Sequence, residues 1–132
     1  MRVMKLKFEE NGIVSGFPHH DGMFSYIKFV GKNEIELEVV SIGKVRSTLV
    51  INGVKLLSLN NLKEANIIDG FYWSKFSELS QSLIEMLPSR FEFSSLSEFQ
   101  KEYANSFLIE MACSYGAEMF ILVDNLSDIK LK

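Results

Sequence analysis

Residues 34 to 39 have the sequence Glu34-Ile35-Glu36-Leu37-Glu38-Val39, which alternates strictly between acidic and apolar side chains. Side chains on a β-strand point to opposite faces with a period of two. The segment therefore predicts a strand whose isoleucine, leucine and valine are buried, while its three glutamates lie in water.

The stretch around this strand, from Met23 to Trp73, predicts several short strands separated by turn residues. At Asn52-Gly53 two interpretations are open: a two-residue turn with positive φ, or a bulge that bends one longer strand. Gly70 inside the last of these strands predicts a bulge or close backbone packing. The strands predicted over the whole chain are 3–8, 23–30, 34–41, 45–51, 55–59, 66–73, 107–113, 117–123 and an edge strand at 126–131.

Between residues 74 and 106 the apolar period changes from two to that of a helix. One helix carries five apolar residues and should end before Pro88, because the residue preceding a proline avoids the helical conformation. Ser95 followed by Glu98 is a capping-box pattern that predicts the start of a second, shorter helix. The apolar residues of the first helix are Phe76, Leu79, Leu83, Ile84 and Leu87.

These elements predict an α+β fold in which β structure dominates, with an antiparallel meander sheet and one or two helices before the C-terminal strands. A chain of 132 residues is expected to form a single domain over residues 1–132. Its formal charge of −3 weighs against nucleic-acid binding, which usually needs clustered lysine and arginine. No apolar run is long enough for a membrane span, so a bacterial-type cytoplasmic protein is expected.

The chain has one cysteine, Cys113, in an apolar segment that predicts a core strand. A single cysteine cannot form an intrachain disulfide or a thiolate metal cluster, so a small buried side chain is expected here. No phosphate-binding or dinucleotide motif is present, and no cofactor is expected.

His19-His20-Asp21 is the segment that could carry chemistry, since it lies in a glycine- and proline-rich loop. Two histidines and an aspartate could bind a divalent metal, with further ligands from carboxylates such as Asp69 or Glu118. Adjacent residues rarely converge on one ion, however. The favoured alternative is structural: Asp21 or His20 bonds the backbone of the loop and caps the entry to the strand that begins at Met23.

The acidic stripe of Glu34, Glu36 and Glu38 has two interpretations. It could be an ordinary solvated face, with lysines from the next strand opposite. It could also be a docking surface for a basic protein, because clustered acid accelerates such association and fixes its register. We expect all three carboxylates to lie in solvent in either case.

Four short motifs follow one another in an order that resembles a group of small bacterial proteins, some of which are similar to immunity proteins of bacterial toxin systems. The resemblance implies a β-rich single domain without established enzymology and a basic, toxin-like protein partner. The motifs are His20-Asp21-Gly22, Asn52-Gly53-Val54, Asn66-Ile67-Ile68-Asp69 and Ser114-Tyr115-Gly116-Ala117-Glu118.

The sequence thus favours a non-enzymatic protein-binding domain, with a metal-dependent hydrolase that uses His19-His20-Asp21 as the alternative. Two of the motifs are expected to be structural. Asn66 and Asp69 would face opposite sides of a strand, and Gly116 would supply the positive φ of a tight reversal.

Overall fold

The computed structural model describes residues 5–132 and contains, within them, ten strands, two α-helices and two short 3₁₀ helices. Of the predicted strand 3–8, residues 7 and 8 form β1, and residues 3 and 4 lie outside the described part of the chain. The elements are β1 Lys7–Phe8, β2 Val14–Ser15, β3 Met23–Gly31, β4 Glu34–Val40, β5 Arg46–Ile51, β6 Val54–Asn60, β7 Ile67–Lys75, a 3₁₀ helix Phe76–Glu78, α1 Gln81–Arg90, α2 Leu96–Glu102, β8 Phe107–Tyr115, β9 Glu118–Val123, a 3₁₀ helix Leu126–Asp128 and β10 Ile129–Leu131.

Eight strands form one antiparallel sheet in the order β10-β5-β4-β3-β7-β8-β9-β6, and β1 pairs with β2 in a separate hairpin. The predicted α+β, β-dominant fold class is confirmed. Two runs, β3-β4-β5 and β7-β8-β9, connect neighbouring strands in sequence, as a meander does. They are joined at one backbone pair, Met23 with Ile67, and the β1–β2 hairpin lies against β7 through an Ile13–Tyr72 bridge.

The connection at Asn52-Gly53 joins two strands that do not pair with each other. β5 lies beside β10 at one side of the sheet, whereas β6 is the last strand at the other side. Since only two residues link them, the sheet must curl until its two sides approach. Gly53 has the positive φ (63°) predicted for this position, and it serves a corner between the two halves of the sheet rather than a paired hairpin.

The curled sheet encloses the main hydrophobic core. Ile35, Leu37 and Val39 of β4 are at most 1% exposed, which confirms the predicted buried face of that strand. They pack in one cluster with side chains from the other half of the sheet, including Met111 and Ile121.

The helices cover the outer face of β8, β9 and β6 through a second cluster that is rich in aromatic residues. Ser95 caps α2 by accepting a hydrogen bond from the Glu98 backbone N–H at 3.3 Å, as predicted.

The prediction that Pro88 ends the first helix was wrong, because α1 continues to Arg90. Pro88 lies in its last turn, where a missing N–H removes at most one bond. Neither helix is long and apolar enough to cross a membrane.

The expectation that the whole glutamate stripe lies in solvent was wrong for two of its three members. Glu36 is 4% exposed and Glu38 is 9% exposed, although both lie on the face opposite the core. Arg46 on β5 donates to the Glu38 carboxylate at 2.6 Å. Glu34 is half-buried and makes no ion pair within residues 5–132.

Glu36 is surrounded by donors from three parts of the chain. Lys132 approaches its Oε1 at 2.9 Å, and Lys28 approaches its Oε2 at 3.3 Å. The Tyr26 hydroxyl donates to Oε2 at 3.1 Å. These bonds, that from Lys132 first, lower the pKa of Glu36. The negative charge expected to attract a basic partner is therefore already compensated within the fold.

The Asn66 and Gly116 motifs meet at the end of β8. The Asn66 side chain is buried and bonds the Lys63 N–H at 2.9 Å, the Lys63 carbonyl at 2.8 Å and the Ala117 N–H at 2.9 Å. Gly116 has a φ of +96°, as predicted. A side chain at that position would meet Asn66 as well as adopt a conformation that L-residues avoid.

We expect Glu36→Gln to lower the stability at pH 7 more than Glu34→Gln does, because only the former weakens a network of charged donors. The folded-state pKa of Glu36 lies below its ordinary value of 4.5. Its stabilising effect is thus present above pH 4.5 and is lost as the pH falls through the lower folded-state pKa. Thermal melts of both variants from pH 3 to 7 measure this, and equal effects of the two substitutions at pH 7 would contradict it.

Gly116→Ala should destabilise the protein by about 1–3 kcal/mol, because it places a side chain at a positive φ and against Asn66. Gly43→Ala is the matched control, since a Cβ at position 43 meets no atom closer than 3.8 Å. Urea unfolding of the two variants gives the comparison. A Gly116→Ala protein as stable as the control would show that the reversal does not need glycine.

Candidate functional site

The loop that carries His19, His20 and Asp21 holds its two imidazole rings on different backbone groups. The ring nitrogen Nε2 of His19 lies 3.1 Å from the Val14 carbonyl, and Nδ1 of His20 lies 2.9 Å from the Asp69 carbonyl. The prediction that Asp21 or His20 bonds the backbone of this loop differs from what the structure has for His20, whose ring lies on a backbone carbonyl outside the loop. This bond crosses to β7.

The two histidines also differ in environment. His19 packs against Phe17 and Phe71, with ring centroids 4.7 and 5.3 Å away. Burial lowers the pKa of His19, whereas the bond to the Asp69 carbonyl and the nearby Asp21 carboxylate raise the pKa of the exposed His20. At neutral pH the imidazole of His19 is therefore uncharged, and it packs at the edge of the core.

This geometry does not assemble the metal site considered for the loop. Asp21 lies 3.5 Å from His20 Nε2, but His19 is engaged elsewhere. Within residues 5–132 no group of three or more histidine, cysteine, aspartate or glutamate side chains is placed to hold a metal ion. Glu118, one suggested extra ligand, pairs instead with Arg90 at 3.3 Å.

A second group of ionisable side chains lies on the outer face of β7, β8 and β9. Tyr72 donates to the Asp69 carboxylate at 3.3 Å. Burial, with the nearby Glu118 carboxylate, raises the pKa of Glu110. Glu110 has no cationic partner within the described residues, so its charge costs stability at neutral pH. The sequence patterns did not single out Glu110. The unfavourable free energy of its charge depends on neighbours that only the folded sheet brings together.

Cys113 is half-buried and packs against the main core, close to its predicted role as a small core side chain. Burial raises the pKa of its thiol, with the Asp69 carboxylate adding to the effect. A raised thiol pKa leaves little thiolate at neutral pH, which is the opposite of what a nucleophilic cysteine needs.

The outer face also has a row of apolar side chains at one end of the sheet. Tyr115 pairs with Ile67, Ile67 with Met23, and Met23 with Val40, so four strands contribute one residue each. Directly paired residues of antiparallel strands share a face. At about 4.8 Å per strand, the row is roughly 15 Å long.

Two side chains of this row, Tyr115 and Met23, are exposed, and the other two are half-buried. Tyr115 is 55% and Met23 45% exposed, and the neighbouring β4–β5 turn adds Ile42 at 69% and Val45 at 45%. We refer to these residues together as the apolar patch. Its members are Tyr115, Ile67, Met23, Val40, Ile42 and Val45.

Charged side chains adjoin the apolar patch. Asp21 lies two residues before Met23, and Asp69 lies two residues after Ile67; both are exposed. Neither forms an ion pair with a lysine or arginine of the described residues. On the β5 side, Lys44 is exposed, while Arg46 is held by Glu38. The two carboxylates, whose neighbours are His20 and Tyr72, therefore lie beside the centre of the patch. Lys44, which has no ion pair within residues 5–132, lies at one end.

Sequence analysis missed this patch because its members come from four strands and one turn. Each apolar residue taken alone looks like an ordinary strand residue. A signal was present in Ile42 and Val45, two β-branched apolar residues in a turn that is otherwise polar. The row itself becomes visible only with the strand register.

The loop geometry predicts that zinc or manganese will not bind tightly. Calorimetry of the protein with each ion should give no saturable heat at micromolar concentrations, and His20→Ala should give the same trace. Tight binding that His20→Ala abolishes would contradict this and would favour the hydrolase alternative.

Comparison of the chain with protein-family models, with curated proteins and with solved structures finds no match. The similarity to immunity proteins of toxin systems consequently stays a prediction from the sequence motifs. A functional assignment has to be argued from the surfaces of the molecule, above all from the apolar patch.

Proposed function

We propose that this protein is a non-enzymatic protein-binding domain that docks through the apolar patch. The observation that carries the proposal is the row formed by Tyr115, Ile67, Met23 and Val40 across four paired strands. Water in contact with such a row is released on binding, which favours association. Tyr115 at one end of the row and Met23 within it are residue types enriched in interfaces.

The position of the patch on a sheet supports the same function. The backbone of each row member is held by neighbouring strands, so little conformational entropy is lost when a partner binds. Contiguous exposed apolar side chains on a soluble surface mark interaction sites more often than isolated ones do. The glutamate stripe lacks this advantage, because two of its carboxylates are occupied by internal partners.

The partner that fits the patch is a protein with an apolar centre and a basic rim. Asp21 and Asp69 are exposed beside Met23 and have no lysine or arginine partner in the described part of the chain. Opposite charge at the edge of an interface accelerates encounter and orients the partner. The acidic character of the whole chain acts in the same direction.

Among such domains, an immunity-type protein that neutralises a toxin is the function we favour. The order of the sequence motifs resembles that of a group of small bacterial proteins, some of which are similar to immunity proteins. An immunity-type protein acts by covering a surface of its toxin, without turnover. The natural candidate partner is a toxin domain encoded beside this gene. An adjacent gene for an unrelated metabolic enzyme would contradict the immunity function.

We expect Met23→Arg to weaken binding to that toxin domain by about 10- to 100-fold, because it puts a charge in the apolar row and repels a basic partner. Phe29→Arg is the matched control, since Phe29 lies at the other end of β3 and is 72% exposed. Surface plasmon resonance at two salt concentrations gives the affinity and the association rate. Asp21→Lys should lower the association rate mainly at low salt.

Two results would overturn the proposed surface. One is a loss of binding in Phe29→Arg while Met23→Arg binds normally. The other is an association rate that does not depend on salt or on Asp21. Circular dichroism of each variant establishes that the fold is unchanged before binding is compared.

A further inference from the structure

The sheet ends at β6, and one edge of this strand is open. β6 pairs with β9 from Val54 to Asn60. On the other side, the Val54 N–H bonds the Asn33 carbonyl at 3.0 Å. Within residues 5–132, no backbone hydrogen bond outside the β6–β9 ladder involves residues 55–60. About half of the backbone groups of this strand therefore point to an unoccupied side.

The other free edges of the sheet are protected, whereas β6 is not. β10 is three residues long, contains Lys130 and is followed by Lys132. The part of β3 beyond its junction with β7 carries Lys28 and two bulges. Short length, lysines and bulges are the usual devices that prevent edge-to-edge pairing.

β6 has one bulge and one charge, and both lie at its beginning. The register shift falls between Val54 and Leu56, and Lys55 is drawn to Asp124 at 2.9 Å. The remaining five residues, 56–60, are regular in pairing, uncharged and free of proline. They line an open groove whose other wall is formed by residues 90–92 at the end of α1. An extended strand could enter this groove from the side.

We propose that the occupant of this edge is β6 of a second copy of the chain, paired antiparallel about a twofold axis at Ser58. Because leucine stands on both sides of Ser58, a twofold axis at Ser58 pairs leucine with leucine on each side of the axis. Each Leu57 then lies opposite Leu59 of the partner subunit. The side chain of Ser58 is already buried in its own subunit (6% exposed), so it does not obstruct the pairing at the axis.

This arrangement covers apolar surface as well as backbone groups. Leu57 and Leu59 are only half-buried and pack against the main core from its edge. In the dimer they extend that core across the new strand pair, where cross-strand apolar neighbours are favourable. Lys55 lies opposite Asn61 of the partner subunit, outside the central pairs, so no like charges meet.

The strength of the dimer follows from its size. A single pair of edge strands is smaller than a standard stable interface, which buries about 1,600 Å². We therefore expect an association that increases with protein concentration and reverses on dilution. This dimer does not use the apolar patch. The proposal of the dimer is therefore independent of the proposed function, and either can be wrong without the other.

Sedimentation equilibrium of the intact chain over a wide concentration range tests the proposal. We expect a monomer–dimer equilibrium, and Leu59→Lys should raise its dissociation constant at least about tenfold by placing a charge on the paired edge. Leu131→Lys is the matched control, because Leu131 is a half-buried leucine on the opposite edge strand. Phe29→Lys provides the same control for β3.

Cross-linking provides a second test if Leu59→Lys fails to fold. In a mixture of Leu57→Cys and Leu59→Cys chains, the two new thiols face each other directly and should form a disulfide under mild oxidation. Each variant alone places its new thiols about 7–8 Å apart on the diagonal and should cross-link poorly. Cys113 is present in every sample and gives the background.

The proposal fails if the protein is monomeric at all concentrations, which would leave the edge to a strand of another protein. It also fails if Leu131→Lys or Phe29→Lys abolishes the dimer while Leu59→Lys does not. Equal cross-linking in the mixture and in the single variants would exclude the twofold axis at Ser58.

Discussion

The corner at Asn52-Gly53 holds the two sides of the sheet together. The Asn52 N–H bonds the Asp128 carbonyl at 2.9 Å, and the Val54 N–H bonds the Asn33 carbonyl at 3.0 Å. A side chain on Gly53 would come within 2.8 Å of the Asp128 carboxylate. The corner is thus fixed by the β3–β4 turn and by the segment that leads into β10. Without it, β6 could not lie on the far side of the core from β5.

Curling gives the sheet one inner face and an outer face that different parts of the chain cover in different ways. Helices α1 and α2 cover β8, β9 and β6 with aromatic side chains such as Phe99, which is fully buried. On β4 the cover consists of ion pairs, with Lys28, Arg46 and Lys132 around two glutamates. These ion pairs are tolerated because both oxygens of Glu36 and the Oε1 atom of Glu38 have donors. The apolar patch and the edge of β6 are among the parts that remain uncovered, as is Phe29 at the other end of β3.

The sequence predicted what depends on neighbours along the chain. Alternation placed Ile35, Leu37 and Val39 in the core, and local turn chemistry placed the positive φ at Gly116. It could not predict the burial of Glu36, because Lys132 is 96 residues away. The apolar patch was hidden for the same reason, since its row runs across the strands. Register is a tertiary property, and a one-residue slip would have put Met23 in the core.

The electrostatic attraction that this protein exerts on another protein depends on which of its carboxylates have a lysine or arginine partner and which do not. Glu36 and Glu38 carry the charge that is most conspicuous in the sequence, but adjacent cations cancel most of their field beyond a few ångströms. Asp21 and Asp69 are inconspicuous in the sequence and yet face solvent without a lysine or arginine partner in the described residues. The basic partner that we propose would be drawn toward the Met23 end of the sheet, where charge and exposed apolar surface coincide. Attraction by charge alone would give a fast but weak encounter, and apolar surface alone would give little orientation. The coincidence of the two is the physical basis for assigning the binding role to that end of the sheet.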